Sequence, residues 1–367
     1  MNNKSSTHSL NSAHFIFRVR ELVKNLPPAY FAMVMSTGII SISCYLLEMD
    51  LLAHILFWLN LWFYLSLWVL SLLRIFFYHK DFFRDMIDHQ KGPGFFTVVA
   101  GSCILGSQFI IISANYSASF ILWIIGLILW VILNYTIFTG FTVKENKPPL
   151  EEGITGAWLL AVVATQSIAV LSTLIAAHME QPYKLQMNFL ALCMWLWGGM
   201  LYIWMISLIF YRYTFFRFSP GDLSPPYWIN MGAMAISTLA GSLLISSTEA
   251  APFLQSLLPF LKGFTIFYWV TGTWWIPMLF ILAVWRHIYK RFPLKYDPLY
   301  WGAVFPLGMY TACTFRMADA MNLHFLDKVP EYFIYIALAA WLAAFSGFLH
   351  SIYNQLNWLI IKPSGTR

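Results

Sequence analysis

Ten apolar runs of about 20 residues recur along this chain with only short polar stretches between them, and that repetition limits the fold more than any single motif does. A run of that length crosses a hydrocarbon core of about 30 Å as a helix, which satisfies each backbone donor and acceptor within its own segment. The runs fall at roughly 27–47, 51–76, 94–113, 117–139, 153–176, 187–212, 225–246, 263–288, 298–320 and 331–354. With 59% hydrophobic and only 10% charged residues, the chain lacks the charge that a water-exposed surface needs. The expectation is an all-α integral membrane protein of ten transmembrane helices. Residues 27–354 form its one membrane domain, between a tail of residues 1–26 and a tail of residues 355–367.

Charge placement orients these spans. Of the 22 Lys and Arg residues, 18 lie in the amino-terminal tail, in the loops after even-numbered spans and in the carboxy-terminal tail. Only Lys184, Lys262, Arg316 and Lys328 lie on the other side. The positive-inside rule then places both termini in the cytoplasm of a multi-pass protein of the cell membrane, plasma or inner. An odd number of spans would scramble the asymmetry. The same distribution explains the net charge of +6 without a nucleic-acid partner. The first 26 residues show no short apolar core with a cleavage site, so no removable signal peptide is expected. Within HFIFRVRELVKNL, residues Phe15, Val19, Leu22, Val23 and Leu26 share one helical face, and Arg18, Arg20 and Lys24 lie elsewhere. This segment is either an amphipathic helix in the membrane interface or a frayed polar tail.

Odd and even spans differ in composition. Odd spans carry 16 glycines and prolines against 7 in even spans, whereas 13 of the 17 tryptophans lie in even spans. Small residues and prolines suit helices that approach closely or line a cavity, and bulky aromatics suit lipid interfaces and packing between helices. The simplest arrangement is five helical hairpins, with inner odd helices around a central pore and outer even helices facing lipid.

Charged residues are nearly absent from the middle of every span. Cys44, Cys103, Cys193 and Cys313 form no CxxC pair, and no facing histidines suggest a haem. HExxH, GxSxG and paired-carboxylate patterns are lacking as well. We therefore expect neither an enzyme nor a bound metal or cofactor. The odd spans instead carry uncharged polar groups: Ser36, Thr37, Ser41 and Ser43; Thr97, Ser102 and Ser107; Thr165, Gln166 and Ser167; Asn230, Ser237 and Thr238; Thr311 and Thr314. Such groups either replace part of an ion's hydration shell or make ordinary interhelical hydrogen bonds. Thr165 and Gln166, with Gly38, Gly101, Gly232, Pro306 and Gly308, are the expected kink or pore-lining positions.

The ninth run, LYWGAVFPLGMYTACTFRM, weakens its own helix with Gly302, Pro306 and Gly308. Phe305 beside the proline is either a packed or lipid-facing ring, or a plug in a narrow conduit. Arg316 either snorkels to the outer interface and pairs with Asp319, the simpler reading, or draws anions to the outer mouth.

Several segments together resemble one family: PPAYFAMVMSTGIISI, WLLAVVATQSIAVL, PPYWINMGAMAI, TGTWWIPMLFILAVWRH and YWGAVFPLGMYT. It is the tellurite-resistance/C4-dicarboxylate transporter family, with its slow anion channels, malate permeases and sulfite efflux pumps. The likeness covers about residues 25–355. It implies ten helices in five hairpins, kinked inner helices around a pore, a homotrimer, and a pore-blocking phenylalanine that matches Phe305 within VFPLG. The plant channels also have long regulatory tails; the tails here are short, so phosphorylation control of that kind is not expected. Three functions stay open: a passive pore for small anions such as chloride or nitrate, a secondary transporter, and a membrane enzyme or electron carrier. The second would carry C4-dicarboxylates such as malate, or serve sulfite or tellurite-related efflux, coupled to protons or to the potential. It normally wants a titratable or cationic group at membrane depth, and the third lacks its patterns.

Overall fold

A computed structural model describes residues 18–360, with side chains through Asn357. The expectations for Phe15 and for residues 361–367 lie outside the described residues. Residues 18–24 are helical, and the chain then enters ten long helices. These are α1 (Ala32–Leu46), α2 (Asp50–Met86), α3 (Phe96–Ile111), α4 (Tyr116–Val143) and α5 (Leu160–Ala176). They continue as α6 (Tyr183–Phe215), α7 (Ile229–Ser246), α8 (Leu258–Val284), α9 (Trp301–Met321) and α10 (Lys328–Ile360). Odd helices are 15–21 residues long and even ones 27–37.

Among the described residues, nine helical segments are long and apolar enough to cross a membrane. The helix α9 falls below that apolarity, because Arg316 and several weakly apolar residues dilute it. Its burial shows where it sits instead: 15 of its 21 residues are buried within the protein.

Each even helix packs on the odd helix before it, giving five antiparallel hairpins. The odd helices also pack on one another in a closed cycle, α1 on α3, α3 on α5, α5 on α7, α7 on α9 and α9 back on α1. The apolar windows of the first four odd segments are 78–94% buried, against 22–44% for the even segments. Inner and outer helices therefore follow the glycine and tryptophan contrast in the sequence. A second set of bonds locks the ring. Each outer helix hydrogen-bonds to the inner helix that follows its own hairpin: Tyr64 to Ser102, Trp130 to Thr165, Trp195 to the Ser237 carbonyl, Trp269 to Thr314, and Trp341 back to Thr37. In lipid such a bond contributes about 0.6 kcal/mol on average, so the set matters more than any member.

The outer helices overrun the sequence expectation, and α2 continues ten residues past position 76. A helix of 33 residues is about 50 Å long, well beyond the hydrocarbon core, so its polar end stands in water. The backbone of α2 breaks from helical geometry at Tyr78 (φ −135°, ψ 38°), where this polar extension begins.

Candidate functional site on the axis of the inner ring

Every inner helix starts with a tight 3-10 turn: Pro28–Phe31, Gly92–Phe95, Gly156–Leu159, Pro225–Trp228 and Pro298–Tyr300. Four of the five have proline in the first two positions, where no intrahelical N–H is needed and the fixed φ favours the turn. All five turns lie at the end of the ring that carries the described ends of the chain. They wall a vestibule of about 650 Å³, with Pro28, Gly94, Ala157, Pro226 and Leu299 each in its lining.

The vestibule is charged but not uniformly basic. Asp85 accepts from the buried Arg74 and from Lys91 at 2.9 Å; Asp81 pairs with Lys24 at 3.7 Å and with Arg84. Asp222 pairs with the buried Arg212 at 3.3 Å. Burial alone would raise the Asp222 carboxyl, but the Ser219 hydroxyl and backbone N–H, with Arg212 behind them, hold it below its ordinary value. Glu151, Glu152 and Asp297 add further negative charge to the lining.

At the opposite end of the axis is a much smaller space of about 20 Å³, room for about one water. Its lining comes from inner helices alone, with three residues from each at spacing i, i+3, i+7. These are Ile39, Ile42 and Leu46; Ile104, Ser107 and Ile111; Ser167, Val170 and Leu174; Ile236, Leu239 and Leu243; Met309, Ala312 and Arg316. Five helices thus present equivalent stripes to one axis, a five-fold repeat in the side chains themselves.

Phe305 lies between the two spaces. Along α9 and its lead-in turn the vestibule lining ends at Leu299 and the opposite lining begins at Met309. On a helix, positions 305, 309, 312 and 316 share a sector of about 60°, so Phe305 continues the axial stripe. Its ring is 0% exposed, and Met35, Ala100, Val163 and Gly232, at the same level of their stripes, are buried as well.

The seven expected kink or pore-lining residues sit at helix contacts, and none lines either space. A Cβ on Gly38 would lie 2.6 Å from Ile104 and 2.8 Å from Asn60; one on Gly232 would lie 2.7 Å from the Pro306 ring. Gly308 abuts Ile40 and accepts a hydrogen bond from Ser43 at 2.9 Å, and Gly101 rests against Val34. Thr165 accepts from Trp130 at 2.8 Å, and Gln166 donates to the Trp195 carbonyl at 3.0 Å, both toward outer helices. Of the two readings open for the polar residues, interhelical bonding describes these. Only Ser107 and Ser167 from that set reach the axis. Arg316 also lines the axis, and no ion pair within 4.0 Å joins it to Asp319 among the described residues. The apolar axial residues escaped the sequence reading, although their i, i+3, i+7 recurrence in five helices was there to count.

Residues 25–349 match the family model described as voltage-dependent anion channel. An uncharacterized membrane protein of Mycobacterium tuberculosis is 36% identical over 152 residues, 41% of this chain and 77% of its own length. An uncharacterized transporter of Methanocaldococcus jannaschii is 23% identical over 92% of this chain and 97% of its own. A sulfite efflux pump of Arthroderma benhamiae is 24% identical over 93% of this chain and 96% of its own. This breadth of match agrees with the resemblance carried by the five sequence segments, and relatives of the chain include transporters and an anion efflux pump. The chain belongs to the voltage-dependent anion channel family.

Proposed function

We propose that this protein conducts small anions along the axis of its inner ring, with Phe305 as the gate. The observation that carries the reading is a fully buried phenylalanine on the axial stripe, between a 650 Å³ vestibule and a tight space at the far end. A hydrophobic ring in so narrow a path excludes hydrated ions until it moves, which is gating by dewetting. The vestibule gathers solutes, and its paired charges keep any one anion from binding too tightly to leave. We place the protein in the cell membrane with both termini in the cytoplasm, following the Lys and Arg asymmetry, and as a homotrimer, following the family resemblance.

Replacing Phe305 with Ala should raise anion conductance several-fold in reconstituted bilayers. Unchanged current in an assembly that native mass spectrometry shows to be intact would refute the gate. A coupled transporter is the second reading, favoured by the sulfite efflux pump that aligns over 93% of this chain. Sulfite or malate uptake into vesicles, with and without a proton gradient, separates the two: a passive pore gives flux independent of the gradient.

A further inference from the structure

The last positions of the five axial stripes are Leu46, Ile111, Leu174, Leu243 and Arg316. A guanidinium thus stands where four sister helices place an aliphatic side chain. The rest of that lining offers two polar groups, Ser107 and Ser167, whose hydroxyl protons are committed to the Cys103 carbonyl at 2.9 Å and the Ala164 carbonyl at 2.7 Å. No side chain of the described residues forms an ion pair with Arg316 within 4.0 Å; Asp319, one turn on, is exposed and acts only from a distance. A cation with apolar neighbours and unfilled donors is strongly attractive to an anion, and its planar fork fits two oxygens at once.

Building on the axial conduction reading, we propose that Arg316 is the specificity-determining residue of the far mouth. It takes oxoanions such as nitrate, hydrogen sulfite or a carboxylate through two parallel N–H donors and meets chloride only as a point charge. The five-fold equivalence makes the claim positional: a guanidinium at a sister position faces the same axis.

The test is bi-ionic current recording in the Phe305→Ala background, with nitrate, hydrogen sulfite and acetate each measured against chloride. Arg316→Lys keeps the charge and loses the fork, so chloride current should persist while the oxoanion-to-chloride permeability ratio falls by about tenfold, the worth of one charge-assisted hydrogen bond. The double variant Arg316→Leu, Leu174→Arg should recover most of that ratio. An unchanged ratio in Arg316→Lys overturns the proposal and leaves conduction standing. Absence of current in every variant defeats the conduction reading instead, and the site is then judged by thermal stability of the purified protein titrated with the same four anions. Oxoanions should raise the melting temperature more than chloride does, and Arg316→Lys should abolish the difference; equal effects of all four anions on the wild type count against the site.

Discussion

Asp222 illustrates how the vestibule holds charge. Its carboxylate accepts from Ser219 twice and from Arg212 once, and these donors outweigh its partial burial and depress its pKa. A depressed carboxylate contributes stability in full above its unfolded value near about 3.9, and loses it as pH falls through the lower folded value. The melting temperature of wild type should therefore exceed that of Asp222→Asn at pH 7, and the gap should close below about pH 4. A gap that does not shrink at all as pH falls below about 4 would mean that the substitution acts through something other than charge. With 36% of its side chain exposed, Asp222 is screened by solvent, so the gap at neutral pH should be modest. At this same scale lies the difference between Thr165 or Gln166 and Ser167: neighbours in sequence, but only Ser167 reaches the axis. One residue is about 100° of helix, and residue type carries no mark of which way it points.

Among the elements, the 3-10 lead-in turns frame the vestibule and pack on one another where the α-helices begin. Gly156 is the tightest of these contacts. A Cβ there would lie 2.5 Å from the Pro226 carbonyl oxygen and 2.6 Å from the Tyr227 α-carbon, both backbone atoms that cannot swing aside. Gly156→Ala should lower the melting temperature in detergent by several degrees, for an overpacking cost of about 1–3 kcal/mol. Gly263→Ala, with open space around its Cβ, should leave it unchanged or raised. Equal melting of the two variants would show that the turns adjust freely. The parity of glycine and tryptophan made inner and outer helices legible before any coordinates. The pairing of outer tryptophans with inner hydroxyls was not legible, because it joins helices of different hairpins, as Trp341 of α10 does with Thr37 of α1.

For the whole molecule, hairpins that alternate direction put both described ends on the vestibule face, the face to which the Lys and Arg residues are biased. A green fluorescent protein fused after Arg367 in a bacterial host should be bright, and alkaline phosphatase inserted near Asn322 should be active. The reverse pair of signals would invert the orientation and put the vestibule outside. By itself the sequence determined the membrane class and the alternation of inner and outer helices, since both follow from composition summed over whole spans, and it pointed to the family through the resemblance of five segments in order. It also singled out Phe305, through its place beside a proline in a glycine-rich span. Only the tertiary structure decided that the five inner helices close into a ring, that their glycines and most of their hydroxyls are spent on packing, and that Arg316 lies on the axis with no carboxylate of the described residues within 4.0 Å. Ring closure and side-chain direction depend on contacts between residues up to 304 positions apart, and no local pattern in the chain encodes them.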